Sequence, residues 1–396
     1  MKTAATTPTA IPNPDMKSRK STFFLAFSVG SVLFSAHAGG GFATGNQANT
    51  YYVGLGWLGP VAAILAVLLM SLTMREAMFF YNSRNLKSYK ELFEAIFSPF
   101  KKIEWLFEVF FYIMVVMAIA AAISGAASAL NAYFGIPYAL SVMAVGVLVL
   151  TLTIFGANLV RLASTYMGMA ILVTAISIYA IGITKGESVS AVMSASFQST
   201  GFSMLPKAIL NAFVYAGFQC VTLPTMLACG KPLSDKRGCN KSMNIAFVMN
   251  AAALTLSVFM LLSWQGFYTA AEGGTVIPTL TVCREIGIPW LTVAYAACLL
   301  LCLISTGVTT TFGFVAKFEN VSVFKGIQNP AIKNGIIAAS IIAVSMGISF
   351  AGLTNIIKYG YGYCGYLGIA VVIIPMLTVG IYKNRKFLAE NPGYKG

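Results

Sequence analysis

Apolar runs of about 18–25 residues, long enough to cross ~30 Å of hydrocarbon, recur along the whole chain with short polar stretches between them. Ten can be read, at about 22–46, 57–80, 104–129, 137–156, 160–183, 205–229, 242–264, 289–314, 335–352 and 359–381. Nine or eleven remain open, because 335–352 is short and the first run is interrupted. The pattern predicts an all-α polytopic membrane protein. Two runs are broken. In the first, FFLAFSVGSVLF passes into SAHAGGGFATG; in the sixth, LPKAILNAFV passes into YAGFQCVTLPTM. Lipid cannot replace a lost backbone hydrogen bond, so an unwound stretch must line a cavity enclosed by protein. A matching pair of such breaks in the two halves of a chain points to a transporter binding site.

Division near residue 190 gives two halves of similar plan, each a broken span followed by four more. Five is odd, so the second half enters the membrane from the opposite side and the repeats, about 21–185 and 203–383, are inverted. The outward loops 184–204 and 265–288 can hold short helices, and the latter could form a hairpin lid. The loop 82–102 is amphipathic and is expected at the interface. Residues 1–20, rich in Thr, Pro and Lys, read as a disordered tail, and 384–396 as a second tail.

Composition agrees with this pattern: 58% hydrophobic residues and 10% charged. The net charge of +14 could suggest nucleic acid, but the basic residues alternate with the spans. With the N-terminus inside, all but Lys185, Lys207, Arg284 and Lys358 of the 26 Lys and Arg residues fall on the inner side. This positive-inside bias expects both termini in the cytoplasm, at the cytoplasmic (inner) membrane. Its partners are then membrane lipids and a small-molecule substrate, not nucleic acid. Lys17, Arg19 and Lys20 before a short apolar run and Ala36-His37-Ala38 also resemble a cleavable signal peptide, but cleavage would remove the first span and invert the bias that follows. The seven cysteines have no paired spacing and read as small buried apolar residues.

The order of these features resembles the amino acid–polyamine–organocation superfamily, with its leucine-transporter fold of five-plus-five inverted repeats and broken first and sixth helices. Gly39-Gly40-Gly41-Phe42 matches the glycine motif of the family's first helix. Tyr215-Ala216-Gly217-Phe218 matches the sixth-helix motif, with Gln219 where an acid is usual. The resemblance covers about residues 20–385, is strongest to bacterial permease-like members, and implies a fold and a reaction class rather than a substrate. It also implies a sodium site, made by the hydroxyls of Ser305 and Thr306 with the carbonyls of Ser35 and Ala38. Some relatives use a fifth-helix lysine in place of that ion, and the fifth span here has none.

Three glycines at a break free main-chain groups to meet a ligand, half-helix N-termini favouring a carboxylate and loose carbonyls a cation; the alternative is close helix packing. The alternative for hydroxyls such as Ser305 and Thr306 is a bond back to their own helix. His37, the only histidine, stands at the break, where it could carry a proton or bond a substrate, or be a neutral ring satisfied by freed backbone. Ala212, Phe213, Tyr215 and Gln219 are expected to shape the pocket from the sixth span. The intramembrane acids Glu76 and Glu108 lie near the inner edge as gate or ion-pair candidates. Tyr359–Tyr366 reads as an interfacial aromatic belt or an outer gate.

These features predict a secondary active transporter of a small polar solute, an amino acid or a related compound, coupled to Na⁺ or H⁺ and needing no other cofactor. A ligand sensor that keeps the transporter fold is the alternative. An enzyme would need paired acids, a metal cluster or a nucleophile with its base, and no such set stands out.

Overall fold

The structure is a computed structural model that describes residues 14–155, 173–233, 235–318, 327, 329–392 and 394. Most of the N-terminal tail, the first part of the fifth predicted span and the basic residues Lys2, Arg161, Lys325 and Lys395 lie outside them. The first span is α1 (Pro14–His37), α2 (Gly40–Ala43) and α3 (Asn46–Tyr51). Next come α4 (Leu58–Ser83), α5 (Tyr89–Phe97), α6 (Trp105–Phe134) and α7 (Tyr138–Phe155). The described part of the fifth span is α8 (Val173–Lys185), followed by α9 (Val189–Thr200). The sixth span is α10 (Leu205–Gln219) and α11 (Leu223–Gly230), and the seventh is α12 (Lys236–Ser263). Then follow α13 (Gln265–Ala270), α14 (Pro278–Ile286), α15 (Pro289–Phe318), α16 (Pro330–Ser349) and the final span α17 (Leu353–Glu390). Eight of these segments are long and apolar enough to cross a membrane; the C-terminal part of α1 (Phe23–His37) and α8 are shorter apolar helices. The chain is an integral membrane protein of all-α class.

Local chemistry sets the boundaries. Ser88 accepts from Glu91 N at 3.2 Å while the Glu91 carboxylate reaches back to Lys87 N at 2.9 Å, a capping arrangement that starts α5. Asp235 caps α12 through Gly238 N at 3.1 Å, and Asn329 caps α16 through Ala331 N at 3.0 Å. Leu92, Phe93 and Ile96 form the buried face of α5, and Phe93 stacks on Phe107 of α6 at 4.1 Å. The outward loops hold α9 and the α13–α14 hairpin as short helices.

Two groups of helices make up the body. In one, α4 packs against α10 and α12, and α1 lies along α12; in the other, α6, α7, α15 and α16 pack on one another. The final span lies against α10, where Gly217 and Gly365 allow backbone to touch backbone. A Cβ on Gly217 would collide with the Gly365 carbonyl, and one on Gly365 would stand 2.5 Å from the Val214 carbonyl. This corrects the expected place of the second break. The YAGFQ run stays α-helical to Gln219, because Gly217 serves packing. The interruption is a 3₁₀ turn at Cys220–Thr222, just before Pro224, which has no N–H to continue an α-helix. Three π-helical stretches, Ile356–Tyr361, Ile369–Ile373 and Met376–Gly380, widen the final span. Of its predicted belt, Tyr359, Tyr363 and Tyr366 are exposed, while Tyr361 is buried against Phe218.

Candidate functional site

The last regular hydrogen bond of the inner half of span one runs from Ala38 N to Phe34 O, at 2.8 Å. Gly39 is extended, with φ −61° and ψ −178°, and α2 begins at Gly40. Among the described residues no backbone acceptor meets the N–H groups of Gly39, Gly40 and Gly41, and no backbone donor meets the carbonyls of Ser35, Ala36 and His37. Donors and acceptors are thus freed side by side at the middle of the span.

The three glycines do different things. A Cβ on Gly40 would run into the Leu303 side chain of α15, and one on Gly41 into the Gln47 amide. On Gly39 it would meet nothing closer than 3.8 Å, where Ala36 O and Thr306 Oγ1 lie. Gly40 and Gly41 are therefore small for packing, whereas Gly39 is half-buried and leaves room for a Cβ in ordinary contact. Phe42 is buried and lies 5.1 Å from the His37 ring.

His37 is buried and joins three spans. Asn250 of α12 gives its amide N–H to Ala246 O at 2.7 Å, which turns Oδ1 toward His37 Nδ1 at 2.6 Å. His37 Nε2 lies 2.7 Å from the Tyr215 hydroxyl, and that hydroxyl donates to Gln47 Oε1 at 3.0 Å. With Nδ1 donating to the Asn250 oxygen, Nε2 of the neutral ring is an acceptor, so His37 and Gln47 compete for the single Tyr215 proton. Of the other sixth-span residues, Ala212 and Gln219 are buried, and Phe213 is half-buried against the core.

The outer side of the break is sealed. Tyr51, Tyr52, Tyr215, Phe218 and Tyr361 form a buried aromatic cluster with ring centroids 4.8–6.4 Å apart. Above it, the Asn46 amide donates to Thr275 O at 3.2 Å, Val276 O at 2.9 Å and Thr354 Oγ1 at 2.9 Å. Thr279 N donates to Thr44 O at 3.3 Å, and Tyr268 OH to Asn49 Oδ1 at 2.7 Å. The bonds to Thr275, Val276, Thr279 and Tyr268 hold the α13–α14 hairpin on the outer half of span one, and the bond to Thr354 ties the final span to it. Below the break, α1 packs chiefly on α12 and α11, Ser35 is exposed, and Ser305 and Thr306 of α15 are half-buried.

Of the expected sodium donors, the Ser35 carbonyl meets no backbone donor, and Thr306 Oγ1 lies at the break beside Cys302. Ser305 Oγ donates to Cys302 O at 3.0 Å within its own helix, and the Ala38 carbonyl accepts from Cys302 Sγ at 3.6 Å. In this state Ser305 and Ala38 are thus engaged with Cys302. Among the described residues no three His, Cys, Asp or Glu side chains converge to hold a metal.

The acids pair at the inner edge, away from the break. Glu76 is buried, accepts from Arg75 at 2.7 and 3.0 Å, and accepts from Asn384 Nδ2 at 2.9 Å. Glu108 pairs with Lys317 of α15, whose ammonium also donates to Tyr89 OH and lies 4.6–5.1 Å from the rings of Tyr89, Phe111 and Tyr112. Asn250, Gln47 and Asn46 were not anticipated. A polar amide inside the apolar seventh span was the one available signal for Asn250. Surface hollows of about 370 Å³, lined by residues including Tyr133 and Arg284, and about 230 Å³, lined by residues including Lys185 and Trp264, lie on the outer loops away from both breaks.

No protein-family model matches the chain, and no curated protein sequence matches it. Solved structures do. The manganese transporter of Eremococcus coleocola, in complex with an aromatic bis-isothiourea compound, is similar with a TM-score of 0.54 and 14% identity, over 96% of this chain and 89% of that one. A Na⁺-coupled sialic acid symporter in a substrate-bound outward-open state gives 0.51 and 9%, over 91% and 97%. Mhp1 in an inward-facing conformation gives 0.51 and 10%, over 94% of each chain. At these identities the likeness speaks for architecture alone: the chain has the leucine-transporter fold that these proteins share.

Proposed function

We propose that the protein is a secondary active transporter of a small polar solute, an amino acid or a related compound, working by alternating access at the cytoplasmic membrane with both termini in the cytoplasm. The observation that carries this reading is the break at Gly39. Freed N–H groups of Gly39–Gly41 suit a carboxylate and freed carbonyls of Ser35, Ala36 and His37 suit an ammonium, so together they complement a zwitterion of no net charge. The break lies under a sealed outer side, and its Thr306-lined flank faces the inner half of the protein. This is the arrangement expected of an inward-facing state. The transport activities named for the structural neighbours support the class of reaction and leave the solute open.

Coupling to Na⁺ or H⁺ would drive the cycle. In a Na⁺-coupled cycle, Thr306 would keep its place while Ser305 turned from Cys302 and the Ala38 carbonyl left the Cys302 thiol, as the inner half of span one closed on α15. Uptake of radiolabelled amino acids into proteoliposomes, with Na⁺ and pH gradients imposed separately, tests the reading. Gradient-driven accumulation of at least one amino acid is expected. Absence of accumulation, together with no thermal stabilisation by any amino acid, would overturn it.

A further inference from the structure

Six uncharged polar side chains from six elements meet on the outer side of the break: Gln47 of α3, Tyr179 of α8, Tyr215 of α10, Ser257 of α12, Thr279 of α14 and Tyr295 of α15. Gln47 and Tyr215 bond each other, and Tyr295 OH donates to the Ala43 carbonyl in the first turn beyond the glycines. Ser257 lies two helical turns outward of Asn250, on the same face of α12. The Tyr179 phenol lies beside Ser257 and within electrostatic reach of Tyr215 and Tyr295, and Thr279 neighbours Tyr295.

Three of the five hydroxyls have no hydrogen-bond partner. Tyr179, Ser257 and Thr279 are each 0% exposed, and their oxygens fall outside hydrogen-bond geometry with any neighbour, although Tyr179 neighbours Ser257 and Thr279 neighbours Tyr295. Buried hydroxyls in folded proteins are almost always bonded, and an unpaired one costs stability that Phe, Ala or Val at the same place would not. A cluster of them between the outer half of span one, the lid and the neighbouring spans therefore calls for a partner outside the chain. Apart from the buried His37 imidazole bonded to Tyr215, the groups within electrostatic reach of Tyr215 and Tyr295 are phenols and thiols, and none of them is a carboxylate or an ammonium that would balance a net charge. Hydroxyls both give and accept, so the matching ligand group is a hydroxyl or a carboxamide.

We propose that this cluster binds the uncharged hydrogen-bonding end of the solute, a side-chain hydroxyl or carboxamide, while the zwitterionic head is held at Gly39. The proposal rests on the transporter reading above and adds the class of side chain. Because Thr279 belongs to the lid and Gln47 to the half-helix, filling the cluster also ties both to the solute.

The test is the thermal stability of the purified full chain against three panels. One contains Ser, Thr, Asn and Gln; the second Ala, Val, Leu, Asp and Lys; the third small polyols and carboxamides without an amino-acid head. The first panel is expected to raise the melting temperature, the second to do so weakly or not at all. Tyr179→Phe and Ser257→Ala should weaken the first-panel effect at least tenfold in ligand concentration. The ligand-free melting temperature of both variants should stay level or rise. A clear fall in it would show that the hydroxyls are structural and would overturn the proposal. Stabilisation by the third panel alone upholds the cluster and removes the amino-acid reading. Equal stabilisation by the second panel, or a first-panel effect that survives both substitutions, keeps the amino-acid reading and overturns the cluster. Silence from all three panels overturns both.

Discussion

Replacing Asn46 by Leu removes the main hydrogen-bonded tie between the outer half of span one and the lid while nearly conserving volume. Asn46 is 0% exposed, and its amide nitrogen lies 3.2, 2.9 and 2.9 Å from Thr275 O, Val276 O and Thr354 Oγ1. Two amide hydrogens cannot make three full bonds, so the loss equals about two. At about 0.5–1.5 kcal/mol net for each neutral bond, the closed lid loses about 1–3 kcal/mol. The penalty falls on the closed state alone, because on opening the lid carbonyls turn to water. About 2 kcal/mol corresponds to a roughly 30-fold rise in the open fraction. Hydrogen exchange read by mass spectrometry measures this directly, since amides protected only by lid closure speed up by the same factor. Peptides covering α14 should exchange roughly 30-fold faster in Asn46→Leu, with α6 and α16 unchanged. A change under about threefold, or an equal rise in α6 and α16, would refute the idea that Asn46 latches the outer side.

Gly39→Leu should abolish uptake with little change in melting temperature, because its Cβ meets nothing closer than 3.8 Å. Gly40→Leu should lower both uptake and melting temperature, since it collides with Leu303; thermal scans beside uptake separate the two. Tyr215→Phe leaves His37 Nε2 and the Gln47 amide without their shared partner, at about 1–3 kcal/mol for each group left unpaired, read by denaturant unfolding in detergent. Lys317→Met should destabilise by about 1–3 kcal/mol because it strands the Glu108 carboxylate, and adding Glu108→Gln should restore most of the loss in a double-mutant cycle. If Na⁺ couples transport, Ser305→Ala with Thr306→Ala should erase any Na⁺-dependent rise in melting temperature while expression persists. A rise that survives both substitutions would place the ion elsewhere.

The first break was legible because three consecutive glycines are a local signal: nothing in an apolar helix needs that much lost propensity unless the backbone itself is being used. The second was misplaced by a few residues because a lone glycine is ambiguous. Gly217 reads the same whether it unwinds a helix or lets Gly365 come close, and the deciding partner lies in another span. The same limit hid the polar network. His37 could be singled out by its chemistry, but its partner Asn250 is 213 positions away, and a single Asn in an apolar run carries no periodicity that says which face it occupies. The inner-edge acids fell between these cases. Their distance from the break followed from span boundaries alone, whereas their partners Asn384 and Lys317 required the packing of the final and eighth spans. Sequence therefore located where backbone is exposed, and packing assigned the work within it. Of Gly39, Gly40 and Gly41, identical in sequence, one has room for a Cβ, one yields to Leu303 and one makes room for Gln47. That division follows from the side chains opposite each position, which is why substituting the three in turn is a sharper probe of the site than deleting the motif as a whole.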